Sequence, residues 1–271
     1  MLKSNLEKYI DGRISNLRVE DQENMLMQIG NIDSYFRDEL IYQSFAKLIF
    51  SNQLSTNELE ILLVRLNQDD YLFYEIGEQA TDSVFTRSFS VLVIAAIIEY
   101  DVVKLQLDNR IIQDTVERVS EYMIAEKDTR GFVEGKGWAH AIAHGADALD
   151  SLAKHPEMKK ADTLEILHAI EHSLLSQVDY LDEEEERLAM VIYSLLKHQD
   201  TEKEIQLWIE KIMGIVETKL QENQGLIEAF HTQRTVKNFL KSVYIILVSK
   251  EQGGKVNKDV LEVLEQWMYL R

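Results

Sequence analysis

Residues 130–155 hold the side chains best suited to chemistry: Arg-Gly-Phe-Val-Glu-Gly-Lys-Gly-Trp-Ala-His-Ala-Ile-Ala-His-Gly-Ala-Asp-Ala-Leu-Asp-Ser-Leu-Ala-Lys-His. A helix turns about 100° per residue, so one running over 137–154 places His140, His144, Asp147 and Ser151 within roughly 60° of one another. Trp138, Ile142, Gly145 and Leu149 fall on the opposite side, and alanines occupy both flanks. Two histidines at i, i+4 suit proton transfer near neutral pH. With a carboxylate at i+7 they also suit a shared metal ion, although the glutamate that follows the first histidine in zincins is missing. The plainer reading of the same pattern is a wet helix face opposite an apolar stripe.

Just upstream, Gly131, Gly135 and Gly137 crowd a turn with Lys136. A glycine turn at a helix start is expected to offer N–H groups to an anion. The Gly-x4-Gly-Lys-Ser/Thr order of a P-loop is absent. Glu134, Lys136, Trp138, His140, His144 and Asp147 therefore form the expected ligand-binding set.

Further contributors lie elsewhere. Arg87 sits in an almost wholly apolar run with Ser83, Val91 and Ile94 on its face. A charge there must find a partner, so an ion pair is expected ahead of catalysis. Arg234, Asn238 and Lys241 make a second polar ridge opposite Val236, Phe239, Leu240 and Val243, fit to hold an anionic ligand or to pair with carboxylates. His168 and His172 read as surface histidines. The run Asp182–Glu186 suits a helix start, where carboxylates complement the dipole.

These residues need elements to position them. The chain has 271 residues with a single proline and no cysteine. Proline breaks helix interiors, so its scarcity fits a mostly helical chain. Apolar residues recur at helical spacing, as in Leu164, Ile166, Leu167, Ile170 and Leu174, and no long alternating run appears. The spacing and cap signals predict helices over 4–12, 20–30, 33–50, 55–67, 69–78, 82–100, 109–127, 137–154, 160–178, 184–199, 202–222, 232–250 and 256–270. The last carries Trp267 and Tyr269 and reads as a docked terminal cap. The fold class is all-α. From residue 82, four hairpins start near 82, 137, 184 and 232, close to the period of helical-pair repeats. The expectation is one domain over 1–271: N-terminal helices to residue 80, then a right-handed HEAT- or armadillo-like superhelix, either open or closed into a toroid. The concave layer of such arrays usually binds something.

Composition excludes several classes. Forty-seven acidic against 29 basic side chains give a net charge of −18, which argues against nucleic acid and anionic membranes as partners. The absence of cysteine removes disulfides and thiolate chemistry, and suits a reducing cytoplasm. Residues 1–8 carry charge where a signal peptide would be apolar, so no leader is expected. The longest apolar stretch, Val91 to Ile98, is far below the roughly 20 residues that span a bilayer.

The segments Glu126-Lys-Asp-Thr-Arg-Gly-Phe-Val-Glu-Gly-Lys-Gly-Trp-Ala-His-Ala-Ile-Ala-His-Gly-Ala-Asp147, Asp82-Ser-Val-Phe-Thr-Arg-Ser-Phe-Ser90 and Asn238-Phe-Leu-Lys-Ser-Val-Tyr244 resemble a bacterial family known as domain of unknown function 2785. The resemblance covers most of the chain and implies a cytoplasmic, mainly Firmicute protein, with 134–147 as its signature. It brings no activity. A looser likeness to α/α-toroid enzymes, lanthionine-synthetase-like cyclases among them, implies a cavity lined by Gly-Trp-x-His segments. Their zinc site uses cysteines, which this chain lacks. The leading functional expectation is a groove that binds a small molecule or peptide. A His/Asp acid–base or metal-assisted enzyme of hydrolase type is the second, and a structural scaffold the third. Cofactor, metal and oligomeric state stay open.

Overall fold

A computed structural model describes residues 1–176, 180–198, 201–222 and 227–268. Among these, helix dominates, as the scarcity of proline leads one to expect. The chain divides into two compact units, Met1–Glu157 and Met158–Arg271.

The first unit opens with α1 (Leu2–Ile10), α2 (Val19–Met27), a π-helical segment Tyr35–Tyr42 that runs straight into α3 (Gln43–Phe50), and α4 (Thr56–Leu66). A Ser55–Glu58 capping box starts α4, satisfying N–H groups that the first turn cannot use. The helix expected over 69–78 does not form; these residues make successive turns instead, with Glu75 and Gly77 at positive φ. The reason lies in Arg87, whose guanidinium takes the carbonyl oxygens of Tyr74, Glu75 and Glu78.

α5 (Ser83–Lys104), α6 (Asn109–Ala125) and α7 (Ala141–Lys154) form the centre of this unit. α5 is apolar nearly all round and buried along its length. By length and composition it would cross a bilayer, but 83% of its apolar window is buried inside the protein, the signature of a core helix. α7 begins four residues later than its periodicity suggests. Residues before it form a hairpin of β1 (Phe132–Val133) and β2 (Gly137–Trp138), pairing Phe132 with Trp138 and Val133 with Gly137. Gly137 has φ +80°, and a Cβ there would lie 2.7 Å from Ser34 Cβ, so both backbone angle and space demand glycine.

Small residues let α7 approach its neighbours. Alanines 141, 143, 146 and 148 are buried, and α5 lies closely alongside. On the α6 side, a Cβ at Gly145 would sit 2.2 Å from Met123 Sδ. At the far ends of α5 and α7, His155 Nε2 meets Asp101 Oδ2 at 3.2 Å, both fully buried. Asp101 also accepts the Gln106 and Leu107 N–H groups.

The second unit contains α8 (Lys160–Leu175), α9 (Glu184–Leu195), α10 (Glu202–Glu222), α11 (Ile227–Ser249) and α12 (Gly254–Trp267). α11 packs beside α9 and against α12, and α10 contacts α8, α11 and α12. Asp162 accepts the Lys159 N–H at 2.6 Å from inside the first turn of α8. Tyr269 and the expected helix ends at 178, 199 and 270 lie outside the described residues.

Burial alone would raise the Asp101 pKa, yet the bonds from His155, Gln106 and Leu107 outweigh it and hold the carboxyl below its ordinary value. Asp101 thus ionises at lower pH in the folded chain than in the unfolded one. Its stabilisation is complete above the unfolded value, near pH 4, and is lost as pH falls through the folded value. Asp101→Asn is expected to lower the melting temperature at pH 7, with the two melting curves converging as pH drops below about 4. Equal acid slopes in both proteins would contradict this.

Candidate functional site

The sequence-derived ligand set divides into residues that meet and residues that do not. Trp138, His140 and His144 meet. The Trp138 and His140 rings lie 4.3 Å apart and 32° from parallel. Phe132, across the hairpin, meets the indole edge-on at 5.1 Å. His140 and His144 stand perpendicular with centroids 5.9 Å apart.

The local backbone differs from a continuous helix. His140 has φ +50° and is the N-cap of α7, its carbonyl accepting the His144 N–H at 2.9 Å. Trp138 was expected on the buried side opposite the histidines. It lies on β2 instead, 42% exposed, because the hairpin turns it out. Lys136, Ala139 and His140 donate their N–H groups to Val133, Gly131 and Arg130, so the hairpin uses them itself.

His144, half-buried on the first turn of α7, turns Nδ1 toward α5. That nitrogen lies 2.8 Å from Ser88 Oγ and 3.3 Å from the Ser88 carbonyl oxygen. Phe89 meets its ring edge-on at 5.4 Å. Asp147 follows His144 by three residues on α7. It lines an open groove of about 250 Å³ with Tyr42, Ala95, Glu99, Asp150 and Lys154. Burial, with Asp147 nearby, pushes the Tyr42 hydroxyl above its ordinary pKa. Lys154 bridges Asp150 at 2.7 Å and Glu99 at 3.3 Å.

The remaining members do other work. Glu134 is exposed at the hairpin tip. Lys136 pairs with Asp82 at 2.6 Å, which draws Asp82 away from capping α5. Arg87 is corrected as a ligand contact: it is 0% exposed. Its Nε and Nη2 bond Glu126 at 2.6 and 3.0 Å, and Nη1 reaches Ser83 Oγ at 2.8 Å. Glu126 in turn accepts the Lys127 and Asp128 N–H groups. Asp128 takes Ala80 N–H and the Arg130 guanidinium, and Arg130 reaches the Thr81 carbonyl.

Arg234, Asn238 and Lys241 lie on α11 in the second unit. There Asn238 hydrogen-bonds Glu185 and the Arg234 charge faces it. Burial nonetheless pushes Glu185 above its ordinary value. The ridge therefore meets a carboxylate of its own chain, and Lys241 is half-buried on the same helix.

Sequence reasoning missed two residues. Arg37 is fully buried between the Phe85 and Phe89 rings, at 4.2 and 4.6 Å. It donates to the carbonyls of Asn31, Lys136 and Trp138, at 2.8, 2.9 and 3.4 Å. Its Nε lies 2.8 Å from Asp38, a charge contact. Burial pulls the Arg37 pKa down and pushes Asp38 up. The signal was available: a lone arginine between Phe36, Leu40 and Ile41 raises the same question as Arg87. Ser88 was passed over as one small polar residue in an apolar helix.

A family model described as a protein of unknown function, DUF2785, matches residues 72–245. No curated protein and no solved structure matches the chain. The matched span contains Arg87, Glu126 and the whole of 130–147, while Arg37 precedes it.

Removing one member of a buried, hydrogen-bonded ion pair leaves the other uncompensated, at a cost of about 3–5 kcal/mol. Arg87→Met is expected to lose that much in denaturant unfolding, consistent with a structural guanidinium. A loss below about 1 kcal/mol, the range of surface pairs, would contradict the assignment.

Proposed function

The chain belongs to the DUF2785 family of proteins of unknown function, and from that footing we propose that it binds a small molecule or peptide. The binding surface is the Trp138–His140–His144 shelf, continued along α7 by the Asp147 groove. One observation carries the reading: a 42% exposed indole is stacked on an imidazole, on a hairpin whose carbonyls are gripped by the buried Arg37. Exposed aromatics fixed in place are the usual anchors of binding surfaces.

The ligand carries positive charge. The groove's ionisable walls are Glu99, Asp147 and Asp150 against Lys154, a net-negative lining that attracts cations. Packing of alternate helices side by side, α5 with α7 and α9 with α11, together with the α11–α12 hairpin, supports a layered helical array within each unit. A cysteine-free composition supports a reducing, cytoplasmic setting, and the bacterial one is what the family resemblance implies. Acid–base or metal-assisted chemistry by the same pair is the second reading, favoured by the two imidazoles only 5.9 Å apart.

The test is an indole N–H NMR titration, with Trp138 assigned through Trp138→Phe. Benzylammonium, an arginine-rich tetrapeptide, benzoate and Zn²⁺ serve as probes. The cationic probes are expected to shift the Trp138 signal, and His140→Ala with His144→Ala to abolish the shift without unfolding the chain. Cationic probes that leave Trp138 unmoved would refute the binding surface. Zn²⁺ alone shifting both imidazoles would assign the pair to the second reading.

A further inference from the structure

Ser88 bonds Ala139 and His144 at once, and valence alone sets the direction of each bond. The Ala139 carbonyl oxygen carries no hydrogen, so the bond between it and Ser88 Oγ uses that hydroxyl's only hydrogen. Ser88 Oγ is left with lone pairs to offer, and His144 Nδ1 lies 2.8 Å away. The Ser88 carbonyl oxygen, 3.3 Å from the same nitrogen, is likewise an acceptor and nothing else. Both contacts therefore require a hydrogen on Nδ1.

We propose that Ser88 is a positioning residue that fixes neutral His144 as the Nδ1–H tautomer, making Nε2 the ring atom that accepts a proton or a hydrogen bond. Free histidine in water prefers the opposite form, with hydrogen on Nε2. The inversion is enforced because the partners are out of reach of solvent: Ser88 and Ala139 are both 0% exposed, so water cannot substitute for either acceptor. Edge-on contacts with Phe89 and His140 set the plane of the ring. The chemistry is that of histidines elsewhere, where the bond made by one nitrogen decides what the other presents.

For function, this deepens the binding proposal and rests on its placing His144 in the surface. A neutral ring of this form accepts through Nε2 and does not donate there. Whatever meets Nε2 must bring an N–H or O–H donor, since a carboxylate or carbonyl would find no hydrogen there.

Long-range ¹H–¹⁵N correlation of ¹⁵N-histidine-labelled protein, above the pH at which His144 titrates, reads the tautomer directly. The expected spectrum has a pyrrole-type Nδ1 and a pyridine-type Nε2. Ser88→Ala is expected to let the Nε2–H form grow in, and Ser88→Thr to restore the wild-type pattern. A pyridine-type Nδ1 in the wild-type protein would overturn the proposal, and that spectrum decides even where a variant does not fold. The two proposals fail separately. An Nδ1–H ring beside a Trp138 that no cationic probe moves refutes the binding surface alone. An Nε2–H ring refutes the role of Ser88 whatever binds.

Discussion

A guanidinium shut away from water must have its N–H groups met by acceptors within the protein, because the desolvation it suffers is repaid only by well-placed bonds. Among the described residues two arginines are 0% exposed, Arg37 and Arg87. Most of their acceptors lie outside the helices. Arg87 draws in the turns at 74–78 and the carboxylate that ends α6. Arg37 draws in the loop at Asn31 and both ends of the second hairpin strand. The irregular segments of the first unit take the paths they do because these two cations require it.

From that follows the presentation of the shelf. Glu126, tied to Arg87, sets the start of 126–140 through its bonds to Lys127 and Asp128. Arg37 sets the end, beside the glycine whose Cβ would strike Ser34. Between them the hairpin turns Trp138 outward, and His140 closes the segment with a left-handed residue as α7 begins. Alanines then let α5 come close enough for Ser88 to reach the His144 ring, while Gly145 admits Met123 of α6. Charge is buried in the core so that an aromatic and two imidazoles can stand at fixed places near the surface.

Most helices were legible in the sequence because their signal is local: apolar residues three and four apart leave a period that does not depend on distant contacts. The second-unit helix expected from residue 202 starts at Glu202. The failures share a cause. Residues 69–78 carry helical spacing in Leu72, Phe73 and Ile76, yet the carbonyls of Tyr74, Glu75 and Glu78 go to an arginine further along the chain. The hairpin has two residues per strand, too short for alternation to register, and its grip on Arg37 spans about a hundred positions. Starting α7 too early put Trp138 on the wrong side. That residues 130–147 concentrate the chemistry-bearing side chains, with His140 and His144 neighbours, was legible. How they are held was not, because Arg37, Glu126 and Ser88 act through contacts that no spacing rule encodes.

Backbone-like rigidity of the Trp138 side chain in the free protein is the most direct consequence of this account. Its indole N–H order parameter, measured by ¹⁵N relaxation, is expected to approach the value of about 0.85 typical of rigid backbone. A value below about 0.6, that of a flexible segment, would mean that the buried arginines do not fix the shelf, and the account would fail at its centre.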